Sequence, residues 1–411
     1  MPRRRVTFST WYKRSHANKV SFIGQFVRHP QQLWIRRANF QVHLWAGIIL
    51  ALYLTVIGIT GSILVFGAEL GRVFDENPWP GLTVPPAVAD LALVIENVSA
   101  KYPHTHIISV MAPTRDEPVF KTTVLTRPRV TVASHPVTGA VMGEIQRRKS
   151  KLDWIYRLHE DLLAGRKGRV ANGIGAAALI LLLLTGIINW WPGIKQWRRA
   201  LKVDFRRKWK RINYDLHSAA GFWTLGFLVM WAITGVYFAW PADVLSYVEK
   251  LSPTVNILHG SVFIDPNTEM QRPDFDAMLS KAYAADPGTK WRGLIFPSNR
   301  RSPFEMLMSR APGVGRDYED TLYFNPYNGQ YISTWQYGVN KSAGDWFIWL
   351  QIPLHFGTHW GLAVKCLWAL MGLALPLLAI SGLLMYWNRF LGKLWKRSLQ
   401  LRQALVQVPT A

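Results

Sequence analysis

Four histidines recur at two fixed spacings. His43 and His217 lie 174 residues apart, each near the start of a hydrophobic segment, while His159 and His355 lie 196 apart, each shortly before one. The spacing of 174 also carries Asn39, Gly47, Leu54, Thr60, Gly61 and Glu69 onto Asn213, Gly221, Leu228, Thr234, Gly235 and Asp243. The spacing of 196 carries Leu158, Gly165, Leu182, Gly186 and Trp191 onto Leu354, Gly361, Leu378, Gly382 and Trp387. The chain is an internal duplication, and each half contributes two histidines. A lone histidine at a membrane end is usually an interfacial or hydrogen-bonded residue, but the same two in both halves point to ligands. Imidazole suits zinc, copper and iron, and a compact zinc or copper centre wants three or four convergent groups. Two histidines per membrane side instead match a haem with paired axial imidazoles. The expectation is two haems, one on His43 and His217 and one on His159 and His355.

His359 breaks the duplication, because its counterpart is Leu163. It either replaces His355 as ligand, orients a ligand or serves substrate chemistry. Glu69 and Asp243 are either acceptors for the second ring nitrogen of a ligand or solvated helix-end charges. His104, His106 and His135 read as surface histidines. At helical spacing His43, Gly47, Leu54, Gly58 and Gly61 share one face, as do His217, Gly221, Leu228, Ala232 and Gly235. Small residues there allow a neighbouring helix or a flat macrocycle to come close.

The elements that must position these residues are membrane spans. Residues 38–68, 170–194, 216–242 and 366–388 contain no Asp, Glu, Lys or Arg, and each run is long enough to cross about 30 Å of hydrocarbon. The first is too long for a signal-peptide core and reads as a retained anchor. The net charge of +23 is not a nucleic-acid signal. Residues 1–38 hold nine Lys/Arg and no acid, 195–212 nine with one acid, and 389–411 five with none, together +22. Four spans put those three segments on one side, which the positive-inside rule makes cytoplasmic, against anionic lipid. Arg147, Arg148, Lys149, Lys151, Arg157, Arg166, Lys167 and Arg169 crowd the opposite side, where they would suit haem propionates or an anionic chelate. The single cysteine, Cys366, excludes an intramolecular disulfide, covalent c-type haem attachment and a cysteine-ligated iron–sulfur cluster.

The expected fold is an α-helical integral membrane protein of four transmembrane helices in two pseudo-symmetric halves, with two periplasmic α+β domains. The order is a basic cytoplasmic arm (1–38), span one (39–70), a periplasmic domain (71–150), and an interfacial helix with span two (151–194). A basic loop (195–212), span three (213–242), a second periplasmic domain (243–340), an interfacial helix with span four (341–388) and a basic tail (389–411) follow. In the first domain the pattern predicts a helix over 87–101 and strands near 106–112, 118–125 and 129–135. In the second it predicts a helix near 274–285 and strands near 291–296, 303–309 and 320–325. Each third strand leads into a Pro-x-x-Gly turn, Pro136–Gly139 and Pro326–Gly329. His159 and His355 fall in Trp-rich stretches, 152–165 and 346–361, suited to the membrane interface.

These motifs together resemble the PepSY-associated transmembrane helix family of bacterial membrane proteins. The residues are His43 with Gly47 and Thr60-Gly61, Leu158-His159 with Gly165, and Thr185-Gly186 with Trp190-Trp191. In the second half they are His217 with Gly221 and Thr234-Gly235, then Leu354-His355 with Gly357, Gly361 and Gly382. The resemblance covers roughly residues 39–390, and within the family the chain is similar to inner-membrane ferric-siderophore reductases. That implies b-type haem at opposite membrane faces and electrons passed outward to a periplasmic ferric chelate. No flavin or nicotinamide module is present, so the electron donor is a separate molecule, quinol or a cytosolic reductase. Ser381 stands where the other three copies carry Thr. The rival expectation is a haem-free binding or regulatory protein whose outer domains hold a peptide or partner.

Overall fold

The computed structural model describes residues 22–395 except 29, 75–78, 80, 86, 116, 128, 146–150, 255–270, 272, 300–301, 311–318 and 358, together with 398 and 400. In chain order the elements are α1 (Phe22–Arg28), α2 (Trp34–Leu64), α3 (Gly67–Phe74), α4 (Leu91–Lys101), β1 (Ile107–Met111), β2 (Phe120–Val124), β3 (Val130–Ser134) and β4 (Val141–Ile145). Then come α5 (Lys151–Asp161), α6 (Gly165–Trp190), α7 (Trp209–Ala239), α8 (Pro241–Leu251) and α9 (Phe275–Ala285). Strands β5 (Lys290–Ile295), β6 (Phe304–Ser309), β7 (Glu319–Phe324) and β8 (Tyr331–Trp335) follow, and then α10 (Ala343–Phe356), α11 (Leu362–Gly372) and α12 (Ala374–Tyr386), with short helical turns at Pro30–Gln32, Trp197–Ala200 and Trp387–Leu391 besides.

Four helical segments, α2, α6, α7 and the run 362–395, are long and apolar enough to cross a membrane. The chain is a multi-pass membrane protein. The expected boundaries shift in two ways. Helix α2 begins at Trp34 and stops at Leu64, and Gly67 starts a separate short helix. The fourth span is broken between Gly372 and Ala374. Pro376 explains the break, since it has no N–H for the Gly372 carbonyl and its ring collides with that carbonyl in a regular helix. Gly58 on α2 packs against this break: a Cβ there would fall 2.6 Å from Pro376 Cδ and 2.9 Å from the Gly372 oxygen. Only a residue without a side chain fits.

The chain divides into two compact units. The first comprises residues up to Ile59, Ile174–Ile233 and Leu370 onward; the second comprises Thr60–Gly173 and Thr234–Ala369. Within the first unit a small core forms from Leu54, Leu179, Leu182, Leu183, Leu228, Ala232 and Leu375. Arg36 caps the end of α6, donating to the carbonyls of Trp191 at 2.7 Å and Asn189 at 2.6 Å. A guanidinium there satisfies carbonyls that have no partner in the helix and complements its dipole.

Within the second unit the two domains expected as separate bodies share one antiparallel sheet, ordered β4-β3-β2-β1-β5-β6-β7-β8. The joint is β1 against β5, pairing Ser109 with Ile295, Val110 with Leu294 and Met111 with Gly293. Each copy also has a fourth strand after its Pro-x-x-Gly turn, β4 and β8, absent from the expected set. Neither has a fully buried side chain: β4 alternates only between half-buried and exposed positions and β8 does not alternate, so neither carries the strong apolar period that marks a strand facing a core. Helices α4 and α9 lie over the sheet and close one continuous core that includes Val94, Val98, Phe120, Met278, Leu294 and Phe324. Complete burial of a side chain such as Phe120 contributes about 1.5–3 kcal/mol. His135 serves the first turn, accepting from the backbone N–H of Val137 at 3.1 Å and Thr138 at 3.3 Å.

Candidate functional site

In the first unit His43 on α2 and His217 on α7 face each other with ring centroids 6.4 Å apart and planes at 84°. In the second unit His159 on α5 and His355 on α10 do the same, at 6.2 Å and 60°. The duplication pairs equivalent histidines, not sequential ones.

Each ring is held through Nδ1 by a hydroxyl from a neighbouring helix. His43 Nδ1 lies 3.0 Å from Thr185 Oγ1 and 3.1 Å from the Leu182 carbonyl. His217 Nδ1 lies 2.9 Å from Ser381 Oγ, His159 Nδ1 lies 3.0 Å from Thr60 Oγ1, and His355 Nδ1 lies 2.7 Å from Thr234 Oγ1. The Leu182 carbonyl can only accept, and Thr185 spends its own proton on the carbonyls of Leu181 and Leu182. The assigned tautomer of His43 therefore carries its proton on Nδ1 and presents the Nε2 lone pair. Ser381 likewise donates to Leu378 O, at 3.2 Å, and is left to accept from His217.

The residue after the hydroxyl is glycine, and that glycine makes room for the ring. A Cβ on Gly61 would lie 2.9 Å from His159 Cε1, one on Gly186 3.2 Å from His43 Cε1, and one on Gly382 3.4 Å from His217 Cε1. The hydroxyl–glycine pair thus grips one nitrogen and clears the adjacent carbon. The grip is braced in turn. Asn39 Nδ2 donates to the Thr185 carbonyl at 2.8 Å, and Asn213 Nδ2 donates to the Ser381 carbonyl at 2.9 Å, the same bond at duplicated positions.

Phe238 and Phe356 pack their rings 5.0 and 5.3 Å from His355. Burial, reinforced by the facing His159, pushes the His355 imidazole down to about 3, so it is neutral at ordinary pH, as a ligand must be. His359 sits elsewhere: its Nδ1 is 2.8 Å from the Tyr337 hydroxyl, and its ring lies among Tyr337, Trp349 and Trp360. It is not the partner that faces His159.

Glu69 does not act as an acceptor for a ligand ring. It takes a 2.5 Å bond from Lys365 Nζ. Burial raises its carboxyl, but the Lys365 hydrogen bond and the charges of Lys365 and Arg72 outweigh that and leave it below its usual value. Asp243 is exposed near the start of α8. Of the basic residues expected to collect near the His159 pair, Arg169 pairs with Glu160, and Arg147, Arg148 and Lys149 lie outside the described residues.

The donor set can be tested against a haem. Two metal–imidazole bonds of about 2 Å, with about 1.1 Å from each nitrogen to its ring centroid, put the centroids about 6.2 Å apart. The pairs stand at 6.4 and 6.2 Å. Among the described residues no group of three or more His, Cys, Asp and Glu could hold a metal ion. The two imidazoles of each pair, at this separation, are a donor set that fits a haem iron.

The hydroxyls were the functional residues that histidine spacing alone did not assign. A signal was present: Thr60, Thr185, Thr234 and Ser381, each followed by glycine, come 17, 26, 17 and 26 residues after His43, His159, His217 and His355.

The uncharacterized protein PA4219 of Pseudomonas aeruginosa is 26% identical over 268 residues, which cover 58% of this chain and 64% of that protein. The match therefore spans less than two thirds of that relative's length. The family model described as the PepSY-associated TM region matches residues 40–389, from just before His43 to just beyond Trp387. The chain belongs to the PepSY-associated TM family.

Proposed function

We propose that this chain is a dihaem oxidoreductase of the bacterial inner membrane that carries electrons outward and reduces a ferric siderophore in the periplasm. The observation that carries the reading is the pair of imidazole separations, 6.4 and 6.2 Å, the span that a bis-imidazole iron requires. A haem at such a site supplies one-electron transfer, and the ferric chelate is the substrate that leaves as Fe(II).

The protein's own part is to hold, orient and insulate. His43 and His217 would hold one haem, His159 and His355 the other. Thr60, Thr185, Thr234 and Ser381 fix the ring orientations, and an acceptor at Nδ1 raises the basicity of Nε2 toward a metal. Phe238 and Phe356 keep water from His355. Hydroxamate and catecholate oxygens are hard ligands that match Fe(III) better than Fe(II), so reduction is a sensible release chemistry. The distribution of +22 of the net charge onto residues 1–38, 195–212 and 389–411 supports cytoplasmic termini.

An absorption spectrum of the purified protein tests the reading. Dithionite should sharpen the Soret and α bands of b-type haem at about two haems per chain, and anaerobic addition of a ferric chelate should reverse the change. A colourless protein would sink the proposal in favour of a haem-free binding or regulatory role.

A further inference from the structure

Between α6 and α7 the basic loop folds into a cavity of about 270 Å³ within the first unit, lined by Arg199, Lys202, Arg207 and Arg211 with Asp204 and Asp215. Four cations stand against two carboxylates, and both carboxylates are already engaged. Asp204 Oδ2 accepts from Arg207 Nε at 2.9 Å, and Asp215 Oδ1 pairs with Arg211 Nε at 2.9 Å. Each arginine is thus held through Nε, and its terminal nitrogens make no hydrogen bond among the described residues. The Arg211 guanidinium also lies 5.1 Å over the Tyr214 ring, which fixes its plane. Arg199 and Lys202 have no carboxylate partner among the described residues.

The start of a span does not require this arrangement. At the spacing of 174, Arg211 corresponds to Arg37 but Asp215 to Gln41, so the equivalent helix of the other half does without the carboxylate. What Asp215 and Asp204 add is orientation. They hold two planar forks in place and leave the outer N–H groups of both for a further ligand. Two oriented forks beside two more cations suit a group with several oxygens and more than one negative charge, which is the chemistry of phosphate. An acyl chain has nothing to gain from these walls. The cavity also stands beside the apolar surface of a span: Trp223 on α7, 64% exposed, donates its Nε1–H to the Leu201 carbonyl at 3.1 Å and ties the loop to that helix. Tryptophan so placed marks the headgroup level of a bilayer.

We propose that this cavity binds a phosphate group, gripped by the terminal nitrogens of Arg207 and Arg211, with Arg199 and Lys202 balancing its charge. The same oxygens are presented by the headgroup of an anionic phospholipid and by a soluble phosphate compound. The site is independent of the haem reading.

The test uses the full-length protein in detergent. Native mass spectrometry counts retained phospholipid, and the delipidated protein is titrated calorimetrically with inorganic pyrophosphate. One site per chain is expected, weakened about tenfold by the double variant Arg207→Lys, Arg211→Lys. That variant keeps every charge, but a lysine offers one nitrogen in place of a fork, and its carboxylate already holds it. Arg199→Gln with Lys202→Gln, which removes no printed side-chain contact of the fold, should weaken binding as much. Arg198→Gln removes a charge from the same loop outside the cavity, where that residue lies over Trp197, and should change nothing. Anionic lipid that wild type retains, that pyrophosphate displaces and that both double variants lose assigns the phosphate to a headgroup. Pyrophosphate binding without retained lipid assigns it to a soluble compound. Binding of neither probe overturns the site. So does equal binding by wild type and the charge-keeping variant, or an equal loss in Arg198→Gln, because the loop then acts only as diffuse positive charge.

Discussion

Alanine at Gly61, Gly186 and Gly382, one at a time, probes the ring cradles at three graded clearances. The new Cβ would stand 2.9 Å from His159 Cε1, 3.2 Å from His43 Cε1 and 3.4 Å from His217 Cε1 respectively. Carbon atoms pack comfortably from about 3.5 Å, so the rings must retreat by about 0.6, 0.3 and 0.1 Å. A metal–ligand distance tolerates about 0.2 Å. The first displacement exceeds that threefold, the second slightly, and the third not at all. Gly61→Ala should therefore lose the haem of the His159–His355 pair and fall from about two haems per chain to about one. Gly186→Ala should lose part of the His43–His217 haem, and Gly382→Ala should keep both. Alanine is a better helix former than glycine by about 1 kcal/mol, so the melting temperature of the apoprotein should hold or rise, which separates a local clash from unfolding. Haem per polypeptide, measured as the pyridine haemochrome, gives the readout. Equal loss in all three variants, or greatest loss in Gly382→Ala, would refute the reasoning.

Four further outcomes are expected. His43→Ala or His217→Ala should remove one haem and His159→Ala or His355→Ala the other, while His359→Ala keeps both; haem content unchanged across all five would end the ligand assignment. Thr234→Val should weaken haem retention about tenfold and raise the midpoint potential, with a smaller effect from Thr185→Val because the Leu182 carbonyl still accepts from His43; redox titration would show any reversal. Burial, then the hydrogen bond and charge of Asp320, push the Asp286 carboxyl up to about 6 against the opposing Arg310. The folded chain then holds a proton that the unfolded chain has released, so stability should rise as pH falls from about 6 toward 4, by up to about 1.4 kcal/mol per unit. Asp286→Asn should flatten that slope in pH-dependent melting, and an unchanged slope would assign it elsewhere. Cysteine labelling of intact cells should modify Asn97→Cys and Asn328→Cys but not Asp204→Cys; the inverse pattern would reverse the direction of electron flow proposed here.

The histidine pairs were legible because a duplication marks equivalent positions whatever the packing, and the charge-free runs marked the spans because hydrocarbon tolerates so few ionised groups. The hydroxyl grips were present in the text but unread. Each span carries its hydroxyl–glycine pair at the far end from its histidine, so Thr60 serves His159 and Thr185 serves His43. That reciprocity depends on how neighbouring helices run, which spacing along one helix does not encode. The β1–β5 joint was illegible for a similar reason, since it pairs residues such as Ser109 and Ile295 through edge strands whose local pattern names no partner. Pro376 did announce the break in the fourth span, but a charge count passes over proline.

That joint has a mechanical consequence. Carriers built from internal repeats work by rocking one repeat against the other around a fixed site. Here the first strand of each repeat is hydrogen-bonded to the first strand of the other, and at its end a Cβ on Gly293 would fall 2.6 Å from Met111 Sδ. Rocking would have to unzip the middle of an eight-stranded sheet, not slide one surface over another. Within the second unit the strands of the two repeats are stitched into one frame.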